Sequence, residues 1–487
     1  MSPTTPFGAS MRQHFLLDPN YRNLNHGSFG THPRPVLATQ QTYQRLAELS
    51  PDQFLRYTQP TALLPARHAL AALLNCPVRD LVPVKNATTG VATVLHNLAP
   101  HFVEGDTLLY FSTVYGAVEN GLFSLRDHLP GPTLRLRKIE YAFPITPAEL
   151  VQRFREAVRQ VRAEGSRPRI AVLETVVSLP GVRFPFEILV KVCREEGVWS
   201  LVDAAHGVGM IELDLGTALV DEGRDGGQDG LGDDGLGLGP GPDGWGKIGG
   251  VDFLTSNCHK WLYTPRSVAL LYVNPALQHL IRTTLPTSWG YIPPPSETPA
   301  KPSLMASAGR KTAFEALFEF VATADDTPYL CVPAALQFRE EVCGGEAAVY
   351  AYLEELVNEG ADLVAAGLGT EVLGDGNAAG KRSAWRRCAM NNVRLPVRVV
   401  QTVRGEEDTA GLTAELVPAV VDWMQRRLVE DYRTFVPVFA HAGWLWVRLS
   451  AQVYLDRSDF EWLVPVLKEL VGRVKKEFKL GKVSSHL

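Results

Sequence analysis

No stretch of the 487-residue chain approaches the ~20 consecutive apolar residues that cross a bilayer, and no basic segment followed by an apolar run stands in its first thirty residues. The expectation is a protein neither embedded in a membrane nor secreted. Cysteine is sparse: Cys76, Cys193, Cys258, Cys331, Cys343 and Cys388 are scattered, without a CxxC pair or a metal-ligand spacing. Neither a disulfide framework nor a metal site is expected, and a reducing, cytoplasmic setting fits. A surplus of positive charge is also missing. The 48 Lys and Arg face 53 Asp and Glu, a formal net charge of −5 with both signs mixed along the chain, so nothing draws it to nucleic acid or an anionic membrane. No internal repeat is present. What remains, with 45% hydrophobic residues, is a globular chain long enough for one large core and a second, smaller domain, acting on a small molecule. The terminal Ser485-His486-Leu487 is similar to an S-K-L peroxisomal address; a plain polar terminus is the simpler reading.

Residues 1–50 read as an extended arm, because proline and glycine recur and the turn Leu24-Asn25-His26-Gly27-Ser28-Phe29-Gly30 interrupts any long element. Residues 51–335 alternate helical patterns with short apolar runs. Arg169 to Val177 and Val198 to Asp203 are apolar on both faces, as strands of a covered, mostly parallel sheet should be, so an α/β domain is predicted. Within it, residues 222–247 turn abruptly to glycine and aspartate and read as a disordered insert. Residues 336–487 look α+β, with helical stretches near 344–366 and 407–430 and strands at NNVRLPV and GWLWVRLS. A smaller domain closing over the first is the economical interpretation.

Three segments carry chemistry. The run Val251-Asp252-Phe253-Leu254-Thr255-Ser256-Asn257-Cys258-His259-Lys260-Trp261 ends an apolar strand in small polar residues and one lysine. A lysine desolvated there loses its proton more readily and forms a Schiff base; alone, a snorkelling surface lysine is the better reading. Val202-Asp203-Ala204-Ala205-His206-Gly207 sets a carboxylate at the C-terminal end of a buried strand, where open α/β sheets bind ligands. Such a carboxylate needs a cation, for which a protonated pyridine nitrogen would serve, or else it caps the next helix. Lys85-Asn86-Ala87-Thr88-Thr89-Gly90 lies between a strand and a helix; its N–H groups and hydroxyls suit a phosphate ester, with ordinary capping as the competing account.

The order phosphate cup, aspartate, lysine resembles the class V aminotransferases, which are fold type I pyridoxal phosphate enzymes. The resemblance extends to Leu24-Asn25-His26-Gly27, Val114-Tyr115-Gly116-Ala117 and Val447-Arg448-Leu449-Ser450-Ala451-Gln452-Val453-Tyr454. The Asn-x-His-Lys-Trp run and Ser288-Trp289-Gly290 resemble the subgroup of isopenicillin N epimerases, cysteine desulfhydrases and hercynylcysteine sulfoxide lyases. The resemblance implies that Lys260 carries the cofactor and moves the α-proton, and that Asp203 pairs with the pyridine nitrogen while His206 bonds the phenolic oxygen. It implies further that Ala87, Thr88, Ser256 and His259 grip the phosphate. Arg448 then holds the substrate carboxylate, with Asn25 and His26 nearby, and Tyr115 protonates the leaving group. A homodimer is also implied. The chain departs from the pattern at Tyr454-Leu455-Asp456, where Tyr-Asn is common, and in its acidic insert.

Breaking the Cα–H bond of an amino acid leads to transamination, epimerisation or β-elimination, and the residues alone leave all three open. The resemblance favours β-elimination from a cysteine conjugate to pyruvate, ammonia and a sulfur product, hercynylcysteine sulfoxide of ergothioneine biosynthesis foremost. Epimerase, cysteine desulfhydrase and inactive binding protein are the alternatives. Phe29, Tyr57, Trp289 and Tyr291 are candidate partners for a trimethylammonium group, though core packing accounts for them equally.

Overall fold

A computed structural model describes residues 3–131, 133–216, 248–291, 311–374, 383–400 and 411–479. The expected insert at 222–247 and the terminal Ser485–Leu487 lie outside the described residues.

The apolar runs become strands β1 (Leu81–Val84), β2 (Asp106–Phe111), β3 (Leu134–Ile139), β4 (Arg167–Glu174), β5 (Val176–Val177), β6 (Val182–Arg183), β7 (Trp199–Asp203), β8 (Phe253–Asn257) and β9 (Ala269–Val273). Seven of them form one sheet in the order β1-β9-β8-β7-β4-β2-β3, while β5 and β6 pair separately. The order folds back on itself between β3 and β4, and five strands from β3 to β8 run parallel. β9 is antiparallel to both β8 and β1. Alternate residues of each strand enter two different apolar clusters: Leu108 and Tyr110 join one, Leu109 and Phe111 the other. A sheet covered on both faces demands this split, and it explains why β2, β8 and β9 are buried at every position.

A second sheet follows from β10 (Met390–Val400), β11 (Leu412–Thr413), β12 (Val438–His441) and β13 (Trp444–Ser450), in the order β11-β10-β13-β12. Helices Glu346–Leu368 and Arg457–Glu477 pack together and against β10. Gly360 permits their close approach, since a Cβ there would lie 2.5 Å from the Phe460 ring.

The N-terminal fifty residues differ from the expected extended arm. Arg34–Leu49 is a helix. Pro35 stands in its first turn, where a missing N–H costs nothing, so the prolines start this helix rather than break it. The preceding segment is tied to the far end of the chain: Gly8 N–H donates to Val453 O (2.8 Å), Ser450 N–H to Leu24 O (3.1 Å), and Arg12 pairs with Asp459. No helix among the described residues is long and apolar enough to cross a membrane.

Candidate active site

The chemistry-bearing residues converge where parallel strands end. β8 runs into the short helix Cys258–Trp261, which carries Lys260; β7 ends in Asp203, followed by the turn that carries His206. Lys260 Nζ lies 3.0 Å from His206 Nε2, and the Trp261 indole N–H donates to His206 Nδ1 at 3.2 Å. Because Nδ1 accepts, the proton of a neutral His206 sits on Nε2 and is donated toward the lysine amine. Burial first, then the nearby Lys260 charge, lowers the His206 pKa, so the ring is neutral. Burial also lowers Lys260 to about 8, against a weaker upward pull from Asp203.

Asp203 is buried and accepts one N–H, from Ala205 at 2.9 Å. It has no ion pair among the described residues, and desolvation raises its pKa. Glu174 ends β4 directly beside Asp203 in register. Burial, then Asp203, pushes the Glu174 carboxyl well above the usual range. Glu174 accepts from Thr113 Oγ1 at 3.4 Å. Tyr115 stands at the start of helix Gly116–His128 with its side chain 49% exposed.

The cup opens helix Ala87–Leu98. Asn86 caps it by accepting from Thr89 N–H at 2.8 Å. The structure differs here from the sequence reading at two positions. Ala87 N–H is committed to Asn257 Oδ1 (2.9 Å), and Ser256 Oγ donates to Ala204 O while accepting from Val208 N–H (3.1 Å). Ser256 therefore builds the His206 turn, with no proton to offer a phosphate, and Asn257 is the β8 residue that faces the cup. Thr88 is exposed, and no described residue takes its hydroxyl. His259 donates Nδ1–H to Val268 O at 3.0 Å, and burial lowers it to about 4. An anion beside its free Nε2 would favour protonation.

Arg448 lies on β13 opposite Asn392 of β10. Its guanidinium donates to Ser178 O (2.8 Å), Asn25 Oδ1 (2.7 Å) and Ser28 Oγ (3.1 Å), and Nε has no partner. It is buried without a carboxylate, which lowers its pKa to about 10. Asn392 holds Gly181 by both N–H (2.7 Å) and C=O (2.9 Å), and Gly181 leaves room for the arginine stem, 2.8 Å from where a Cβ would stand. Asn25 thus orients Arg448. His26 instead bonds Tyr454 OH (2.8 Å), and burial holds it neutral, near 3. Gly30 closes this turn at φ +64°, its Cα side 1.8 Å, by Cβ position, from His259 O. Phe29, Tyr57, Trp289 and Tyr291 are all exposed on the single chain and form no enclosed cage with one another.

A buried carboxylate without an ion pair, a buried guanidinium without an anion, a lysine amine of lowered pKa and a helix N-terminus with a free hydroxyl fit pyridoxal phosphate and an amino-acid carboxylate. Sequence reading missed Asn257, Glu174 and Trp261. Only Asn257 left a signal, as the polar residue of β8 with the opposite side-chain parity to Ser256.

Residues 32–239 match the class V aminotransferase family. An L-cysteine desulfhydrase-like protein of Epichloe uncinata, lolT1, is 41% identical over 97% of this chain and 98% of its own. A hercynylcysteine sulfoxide lyase of Schizosaccharomyces pombe is 27% identical over 96% and 99%. Isopenicillin N epimerase of Streptomyces clavuligerus is 26% identical over 95% and 98%. Among solved structures, the cystine C-S lyase C-DES in complex with cysteine persulfide superposes with a TM-score of 0.63 at 18% identity, covering 93% of this chain and 98% of that one. The chain therefore belongs to the class V aminotransferase family, as a pyridoxal phosphate-dependent lyase.

Proposed function

We propose that the protein cleaves the Cβ–S bond of a cysteine conjugate, releasing the sulfur product and, after hydrolysis, pyruvate and ammonia. The observation that carries this reading is the pairing of an unneutralised Arg448 with a lysine amine already near neutrality, within a chain 41% identical to a desulfhydrase-like protein. Bound pyridoxal phosphate supplies the electron sink for the pair left at Cα. Lys260 holds it and, once free, takes the α-proton. Asp203 keeps the pyridine nitrogen protonated, a role suited to a buried carboxylate without an ion pair among the described residues. His206 offers Nε2–H to the phenolic oxygen. Thr88, Asn257 and His259 would hold the phosphate. Arg448, with Asn25 and Ser28 fixing its fork, orients the substrate carboxylate. Tyr115, which is half exposed, would protonate the departing sulfur.

The substrate we favour is hercynylcysteine sulfoxide, because a sulfoxide leaves as a sulfenic acid more readily than a thioether leaves as a thiolate. A second reading, free L-cysteine, is supported by the fungal desulfhydrase-like relative. Incubating the holoenzyme with hercynylcysteine sulfoxide, S-alkyl cysteines, L-cysteine and isopenicillin N, with pyruvate assay and chiral chromatography, tests both. Pyruvate fastest from the sulfoxide is the expected result; fastest release from L-cysteine promotes the second reading. Racemised substrate without pyruvate refutes the lyase.

A further inference from the structure

Arg339 is fully buried on helix Val332–Glu341, far in sequence from the residues described above. Its Nη1–H donates to Trp261 O (2.9 Å) and its Nη2–H to Gly209 O (3.0 Å). Nε and Nη2 also bond the Glu346 carboxylate, and the Tyr263 ring lies 4.9 Å from the guanidinium carbon. The ion pair with Glu346 by itself would satisfy the charge. The remaining donors go to two backbone carbonyls from different segments: Trp261 O belongs to the lysine helix and Gly209 O to the turn that follows His206. A four-residue helix leaves its last carbonyls without intrahelical partners, and a guanidinium fork can cap one of them while reaching a second. The two segments touch backbone to backbone, since a Cβ on Gly209 (φ +84°) would stand 2.6 Å from Leu262 N and Trp261 C.

We infer that Arg339 is a positioning residue, holding the Trp261 and Gly209 carbonyls together and so setting the contact between His206 and Lys260. The coupling runs through Trp261, whose carbonyl is fixed by Arg339 and whose indole N–H fixes the His206 ring that faces the lysine. The inference rests on Lys260 being the cofactor lysine. The titratable and charged groups that face Lys260 are Asp203, Glu174, Arg448, His206 and His259, with His26 against its main chain; Arg339 is not among those that act on the amine, so its influence is geometric.

The test uses Arg339→Lys and Arg339→Met, with Trp261→Phe as the variant that cuts the same chain one step later. Pyridoxal phosphate is removed from each and returned across a pH series, and the adduct is trapped with borohydride and located by mass spectrometry. In wild type the capture rate should level off near pH 8, in keeping with the lowered lysine pKa. In both Arg339 variants the plateau should move up by a pH unit or more, with capture at neutral pH about tenfold slower, and lysine should restore part of the loss that methionine causes. The imidazole nitrogen resonances of His206 should also lose their single-tautomer signature, in Trp261→Phe as well. If Arg339→Met fails to fold, Arg339→Lys and the His206 resonances still decide. A lower unfolding midpoint with plateau and tautomer unchanged makes Arg339 a packing residue and overturns the inference. An adduct absent from Lys260 in wild type overturns the functional assignment instead.

Discussion

Neutral amine is the form of lysine that attacks an aldehyde, so the pH at which Lys260 loses its proton sets how fast the cofactor is captured. Burial lowers that pKa from 10.5 to about 8. The sign follows from the direction of the shift: below about 8 the amine is mostly protonated and the rate should climb about tenfold per pH unit, then level off above it. At pH 7 the neutral fraction is about 300-fold that of an unperturbed lysine. Stopped-flow absorbance after mixing pyridoxal phosphate with cofactor-stripped protein, with borohydride trapping as the check, measures the profile. Asp203 pulls the Lys260 pKa up, so Asp203→Ala should move the plateau to lower pH, a displacement opposite to that expected on admitting water around the amine. A rate still climbing toward pH 10 in wild type would refute the claim that the amine is desolvated.

Arg448→Lys should raise KM for the amino-acid substrate about ten- to a hundredfold with a smaller effect on kcat, since one charge-assisted hydrogen bond of the fork is worth about 1.5–3 kcal/mol; steady-state kinetics with an unchanged KM removes the residue from the carboxylate site. Asp203→Ala should retain cofactor, held by Lys260 and the cup, while kcat falls about a hundredfold or more, and near-normal turnover would show that the carboxylate does not face the ring nitrogen. Gly30→Ala should cost more than about 2 kcal/mol in denaturant unfolding, combining a left-handed φ with a Cβ 1.8 Å from His259 O; wild-type stability would show that the turn does not sit against the lysine helix.

Lys260, Asp203 and Arg448 were legible because each ends or interrupts an apolar run, leaving a charged group where strands deliver their C-terminal ends. The alternation of β8 was equally visible. Its consequence was misjudged, because a hydroxyl at Ser256 looked the better phosphate donor, whereas side-chain parity turns Ser256 to the His206 turn and Asn257 to Ala87. Glu174 reads as the end of a buried strand, and only the pairing of β4 with β7 brings it beside Asp203. Trp261 and Arg339 act across 55 and 78 positions, respectively, and no local pattern announces such bonds. The reversed direction of β9 is likewise silent, since an apolar run of five reads the same both ways. Pro35 misled because proline punctuates loops and first helical turns alike.

Several bonds that shape the site end on main-chain atoms. His259 is aimed by Val268 O, Arg448 by Ser178 O, Asn392 by the N–H and C=O of Gly181 beside Arg448, and Arg339 clasps Trp261 O and Gly209 O. A carbonyl survives any substitution at its own residue, so Val268 or Ser178 can mutate without deleting the acceptor they provide. Mutational pressure then falls on the few donors, His259, Asn392, Arg448 and Arg339, while their targets drift. A geometry secured in this way tolerates substitution at every residue that contributes only a main-chain carbonyl.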